Sequence, residues 1–120
     1  MPRHIVAPSR VAAAGHPPKT IDEYVGRVTT GTRDVSIAHM RSPAGWVEPS
    51  QTPAFDEYTL VLRGSLRVEH DGGVLDVRAG EAVIVSAGER VRYSSPEEPG
   101  AEYVAVCLPA FSLEGAKRED

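Results

Sequence analysis

At 120 residues and 12.9 kDa the chain suits one domain, large enough to bury a core without disulfides or a structural metal. A formal net charge of -4 and a pI near 5.5 argue against a nucleic-acid phosphate backbone or an anionic membrane as partner, because both reward a basic face. The single cysteine, Cys107, excludes an intramolecular disulfide, and no early apolar run has signal-peptide or membrane-span length, so a reducing, cytoplasmic setting is expected. The absence of Asn, with one Gln, two Lys and eleven Arg, suggests a GC-rich bacterial genome.

Residues 1–20 hold Pro2, Pro8, Pro17 and Pro18 and little apolar content, which predicts an arm that packs on another surface or frays. Beyond it, short segments rich in Val, Ile, Leu and Tyr alternate with a two-residue period between Gly and Pro punctuation. The pattern predicts strands over about 22–28, 33–41, 45–52, 56–63, 65–70, 74–78, 82–86, 90–95 and 102–108. Many short strands separated by turn signals mean a sandwich or a closed barrel, here over 21–112. The tail 113–120 is charged, ending Lys117-Arg118-Glu119-Asp120, and is expected to be solvated.

In the centre, Glu57, Thr59, Val61 and Arg63 share one face and Tyr58, Leu60 and Leu62 the other. Gly64-Ser65 reads as a two-residue turn, which pairs Arg63 with Leu66, Val61 with Val68 and Thr59 with His70, and sets His70 diagonal to Glu57. A bulge there would reverse the face. Arg63 lies about 20 Å along the strand from Glu57 at roughly 3.3 Å per residue, too far for direct pairing.

Two stretches carry a family signal. In the first, Gly45 is followed after five residues by Gln51-Thr52-Pro53, then by Glu57 and, seven residues on, by Gly64. In the second, Gly80 is followed after five residues by Ser86-Ala87-Gly88 and then Val91. These spacings resemble the two cupin motifs, with Gln51 and Pro53 where the first motif has its histidines, Glu57 where it has its glutamate, and Ser86 and Val91 where the second has its proline and histidine. From about Val35 to Pro109 the chain resembles a small single-domain bacterial cupin of the conserved-barrel type. The run Gly45-Trp46-Val47-Glu48-Pro49-Ser50-Gln51-Thr52-Pro53-Ala54-Phe55-Asp56-Glu57-Tyr58 is similar to metal-poor variants such as the ethanolamine-utilisation type. The resemblance implies an all-β jelly-roll barrel, usually dimeric, and a usual site of three imidazoles and one carboxylate, of which Glu57 alone is kept.

A carboxylate in an apolar barrel needs a partner, since leaving water unpaired costs several kcal/mol. Gln51 as amide donor, His70 as donor or cation and Tyr93 as hydroxyl donor are the candidates, giving a ligand pocket or a self-satisfied internal cluster. Trp46 reads either as a wall of the pocket mouth or as core, and Glu48 as a second carboxylate only if Pro49 introduces a bulge. His39 reads as an exposed or satisfied histidine, Cys107 as a small core residue, Asp56 and Tyr58 as outward surface or dimer contacts, and Arg90 and Arg92 as solvated.

Tyr58, Leu60 and Leu62 face outward, and Val104, Val106 and Leu108 alternate in the same way against Tyr103, Ala105 and Cys107, so these faces need cover from the arm or from a second subunit. A homodimer is expected. Three functions stay open: a metal-independent binder of a small polar molecule, an isomerase, epimerase, lyase or hydrolase using Glu57 as base with Tyr93 or His70 as acid, and an atypical divalent-metal cupin using Gln51, Glu57 and His70. No cofactor is expected on the first reading.

Overall fold

The computed structural model describes residues 1–119. Nine strands and one short helix are found among them: β1 Ser9–Val11, β2 Thr20–Val25, β3 Ser36–Ser42, β4 Trp46–Val47, β5 Asp56–His70, β6 Gly73–Arg78, β7 Ala82–Val85, β8 Val91–Ser95, β9 Ala101–Leu108 and α1 Leu113–Ala116. All recorded pairings are antiparallel. One sheet runs β1-β2-β3-β9-β5-β7 and the other β4-β8-β5-β6, so β5 belongs to both and the sheet curls into a jelly roll.

The 15-residue β5 explains this closure and corrects the expected hairpin. Its first part pairs with β7 through Leu60 and with β9 through Gly64, and its second pairs with β6 from Ser65 and with β8 from Arg67. Between Val61 and Arg63 the register with β9 shifts, and the inward positions change from Thr59 and Val61 to Leu66 and Val68. Gly64 follows this bulge, paired with Ala101, at the point where β5 passes to β6 and β8. Its φ is +75°, and a Cβ there would run into the Gly100 carbonyl, so the turn read at Gly64-Ser65 is a crossing from one sheet to the other. His70 consequently pairs with Gly73 and Val91 instead of Thr59, about 40 Å of extended chain from Glu57 at roughly 3.3 Å per residue.

The main core sits at the β6 and β8 end: Trp46, Val61, Leu66, Val68, Val77, Val85, Val91 and Tyr93 pack together with Tyr103. A second cluster of Phe55, Cys107 and Ala116, with Phe111 against it, plugs the other end. The expected 45–52 strand shrinks to Trp46 and Val47, because Pro49 cannot donate to a ladder; pairing resumes as isolated bridges of Gln51 to Val91 and to Arg118.

Both flanking segments are tied to the barrel. In the arm, β1 pairs with β2, the His16 and Val47 backbones exchange hydrogen bonds of 3.0 Å, and Trp46 Nε1 donates to the Ala14 carbonyl at 3.1 Å. Of the tail expected to be solvated, residues 113–119 instead form a strap, and Asp120 lies outside the described residues. Ser112 caps α1, Ala54 N donates to the Gly115 carbonyl at 2.8 Å, Glu119 N donates to the Ser50 carbonyl at 2.8 Å, and Ala116 is fully buried. No helix among the described residues is long and apolar enough to cross a membrane.

Candidate functional site

A narrow cavity opens between the β2, β3 and β9 wall and the 48–57 segment, closed by the strap. It leaves about 40 Å³ for the centres of water-sized molecules, more than the ~10–15 Å³ that one water needs. Its polar lining comes from eight places in the chain: Lys19 at the end of the arm, Glu23 on β2, Ser36 on β3, Glu48 and Gln51 after β4, Glu57 at the start of β5, Tyr93 on β8, Tyr103 and Cys107 on β9, and Arg118 on the strap. Ile21, Ala38, Met40, Ala105 and Phe111 supply the apolar part.

Alternation places several of these groups. Along β9, Tyr103, Ala105 and Cys107 point inward with at most 3% exposure, and along β8 Tyr93 does the same. Gln51 is held by a reciprocal backbone bridge to Val91, with N to O distances of 2.8 and 2.9 Å, which directs its side chain into the barrel. Glu57 pairs with Cys107 on one side and Val85 on the other, at the mouth end of β5.

The two central carboxylates are poorly supplied with donors. The Thr59 hydroxyl donates to Glu57 Oε2 at 3.4 Å and the Cys107 thiol to Oε1 at 3.7 Å, both long. For Glu48 the nearest charged partner is Arg118 Nη2 at 4.0 Å. Burial accordingly raises the pKa of both, that of Glu48 to about 6, while the Lys19 and Arg118 cations pull the other way. Burial, reinforced by Glu57 and Glu48, pushes the Tyr93 hydroxyl well above its usual 10. Burial and Glu57 push the Cys107 thiol up in the same way, and it stays a thiol. Glu23 differs, accepting from Val28 N, Thr29 N and the Thr29 hydroxyl at 2.7–3.1 Å and so tying down the loop after β2.

Lys19 rests over the Trp46 ring at 4.2 Å, donates to the Tyr103 hydroxyl at 3.1 Å and touches Met40 Sδ at 3.6 Å. Three side-chain atoms around the cavity are buried with no hydrogen-bond partner: Gln51 Oε1, Tyr93 OH and Arg118 Nε. Native structures leave few such atoms unpaired, and each costs about 1–3 kcal/mol.

Of the residues picked out in the sequence, Gln51, Glu57, Tyr93 and Glu48 meet at the cavity. Glu48 gets there because the strand ends at Val47 and the chain turns at Pro49. Trp46 is fully buried beneath Lys19 and is absent from the lining. His70 is excluded by the continuity of β5; its Nδ1 accepts from Gly72 N at 3.1 Å on the far surface. His39 pairs with Glu102 at 2.7 Å on the outer face, and Asp56 accepts from Ala87 N at 2.8 Å. Lys19, Glu23, Tyr103 and Arg118 are additions that the sequence did not flag. Only Lys19 had a signal, as one of two lysines, set directly after Pro17-Pro18 at the entry to β2.

The donor set does not fit the three-imidazole, one-carboxylate site. None of the four histidines lines the cavity, and no three His, Cys, Asp or Glu side chains among the described residues are placed to share a metal.

No family model matches the chain. The endoribonuclease YbeY of Myxococcus xanthus (strain DK1622) is 43% identical over 101 residues, which make up 84% of this chain and 34% of that protein. The chain therefore spans about a third of that curated relative's length. Among solved structures, the ethanolamine utilization protein Q of Salmonella typhimurium superposes with a TM-score of 0.68 at 18% identity, covering 87% of this chain and 97% of that one. A variant of Bacillus subtilis oxalate decarboxylase gives a TM-score of 0.76 at 20% identity, over 95% of this chain and 31% of that one. The fold is the cupin jelly roll. These likenesses speak to architecture, and the chemistry has to come from the cavity itself.

Proposed function

We propose that this cupin-fold chain binds a small polar molecule in the cavity without a transition metal. The observation that carries the reading is the meeting of Gln51 Oε1, Tyr93 OH and Arg118 Nε, all buried and unpartnered, around Glu48 and Glu57. A cluster meant only to fill the barrel would pair these atoms with one another, whereas a ligand site keeps them for its occupant. The likeness to the Salmonella ethanolamine utilization protein supports the cupin barrel that houses this cavity. The activity named for the Myxococcus relative is not carried over: the match covers 34% of that protein, and a net charge of -4 opposes a phosphate backbone.

Native mass spectrometry of protein purified from its host tests the reading. A co-purifying small polar molecule, lost in the Glu57→Gln and Gln51→Leu variants, is the expected result, with no stoichiometric transition metal by elemental analysis. A ligand-free protein whose cavity is filled by side chains in a high-resolution crystal structure overturns it.

A second reading, general acid–base catalysis, is favoured by one feature: Glu48, raised to about 6, lies in the same cavity as Glu57. The acid and base are then Glu48 and Glu57 in either order, since burial raises both, the Tyr93 hydroxyl holds its proton too tightly at neutral pH and His70 is remote. On this reading turnover follows Glu48→Gln and Glu57→Gln together.

The outer face supports a homodimer. Tyr58, Leu60, Leu62, Ile84 and Leu108 are each more than 40% exposed on neighbouring strands of one sheet. Sedimentation should give twice the chain mass for the native protein and the chain mass for Leu60→Glu.

A further inference from the structure

Whatever fills the cavity needs a wall that moves, and the walls differ in how they are held. Behind the cavity, β2, β3 and β9 are laddered to one another. In front, the 48–57 segment is fastened to the barrel by the reciprocal bridge between Gln51 and Val91 and by Gly88 N, which donates to the Pro53 carbonyl at 2.8 Å. The strap is fixed mainly where the chain leads into it. Ala110 N donates to the Arg33 carbonyl at 3.0 Å and Phe111 N to the Ser36 hydroxyl at 2.9 Å, which ties this root to β3 and the loop before it. Beyond Phe111, among the described residues, the backbone reaches the barrel only along the 50–54 segment: Ala54 N donates to the Gly115 carbonyl at 2.8 Å, Thr52 N to the Lys117 carbonyl at 3.4 Å, and Glu119 N to the Ser50 carbonyl at 2.8 Å.

Nothing inside the strap makes up for this sparse attachment. The four residues of α1 fall far short of the roughly 12–15 at which an isolated helix becomes marginally stable, so the turn persists by docking Ala116 against Phe55 and Cys107. The closed strap also carries two costs. Lys117 has φ +50° and ψ 53°, the left-handed region, and is the one non-glycine residue with positive φ among the described residues. Arg118 Nε is buried with no partner, and Nη2 lies 4.0 Å from Glu48. Lifting relieves both, since Lys117 is then free to leave that region and water reaches Nε.

We propose that the strap, with its capping residue Ser112, is a lid that hinges after Phe111 and lifts from the 50–54 segment while the barrel stays folded; that it admits a ligand rests on the reading of the cavity as a ligand site. The hydrogen bonds themselves supply the reporters. The Ala54, Ala116 and Glu119 amides are all released when the strap lifts and unwinds, and Ala54 sits on the barrel side of the contact. The Gln51 and Val91 amides bond to each other's carbonyls, and Val68 is laddered on both sides, so these three report on the barrel.

Residue-resolved amide exchange of nitrogen-15-labelled protein, followed from zero urea up to the unfolding transition, tests the lid. Ala54, Ala116 and Glu119 should share one opening that is nearly independent of urea, while Gln51, Val91 and Val68 stay protected and follow urea with the full unfolding slope. Ser112→Ala removes the α1 cap and should speed exchange at the three strap reporters about fivefold. Lys117→Gly relieves the left-handed backbone and should slow it about fivefold. Leu66→Val, in the dry core, weakens the lifted and closed forms alike, so it should speed Val68 and leave the strap reporters unchanged. The wild-type urea series needs no variant to fold. Exchange of Glu119 alone is local fraying and overturns the lid. So does exchange of the strap reporters only with the full urea slope of Val68, release of Gln51 along with them, or their indifference to both Ser112→Ala and Lys117→Gly. Each of these outcomes leaves the ligand site to be judged by native mass spectrometry, whereas a lifting strap over a cavity filled by side chains keeps the lid and overturns the ligand site.

Discussion

The two ends of the barrel are built from the same strands and handle burial in opposite ways. Around the second half of β5, Leu66 and Val68 are at most 1% exposed and pack with Val77 and Val91 into a dry core that contributes stability at roughly 25 cal/mol per Å² buried. Around the first half, the inward positions go to Glu57 and Thr59, facing Gln51, Tyr93 and Cys107. There the barrel keeps under-supplied polar groups at a cost in stability. One end holds the fold, and the other is held by it.

Truncation should reveal the contrast most strongly. Leu66→Ala opens a cavity in the dry end and is expected to cost about 2–5 kcal/mol in denaturant unfolding; a loss below 1 kcal/mol would mean that the two ends are equally soft. The next effect is a pH slope that only the polar end provides. The folded chain holds the Glu48 proton up to about pH 6, while the unfolded chain releases it near 4.5. Stability from this group is therefore fully present below pH 4.5, falls by about 2 kcal/mol as the pH rises to 6 and is level above, with Glu57 adding in the same direction. Unfolding measured across pH 4–8 should show this slope, and Glu48→Gln should flatten it.

Smaller, and opposite in sign to Leu66→Ala, Tyr93→Phe removes an unpartnered buried hydroxyl and should raise stability by about 1 kcal/mol while weakening ligand binding. A loss instead would show that the hydroxyl has a partner in solution. Smallest of all is Arg90→Ala. The Arg90 pair with Glu119 is exposed on both sides, so the strap should stay in place, as hydrogen exchange at Gly115 and Glu119 would show.

How far the sequence discloses this contrast depends on the kind of signal each residue leaves. The barrel is legible because motif glycines and two-residue alternation both report on strands and turns. Gly64 misleads for a physical reason: a tight turn and a crossing between sheets ask for the same freedom of φ, and only the far-off Gly100 carbonyl distinguishes them. Gln51, Glu57 and Tyr93 could be grouped because each sits on or beside a strand, where parity predicts direction. Lys19 and Arg118 could not. They reach the cavity from an irregular arm and from a strap that has no periodicity, and charged residues in such segments look the same whether solvated or folded back. Glu48 lies between these cases, its parity undone by Pro49.

Cys107 acquires a use from its position. It is the single thiol of the chain, 3% exposed, at the inner wall of the cavity beneath the strap, and its raised pKa keeps it unreactive while the mouth is shut. Its alkylation rate therefore reports every opening that exposes the inner wall, and comparison with the global unfolding rate separates opening of the barrel mouth from unfolding of the whole protein. An occupant of the cavity should slow that rate without any chemical label of its own.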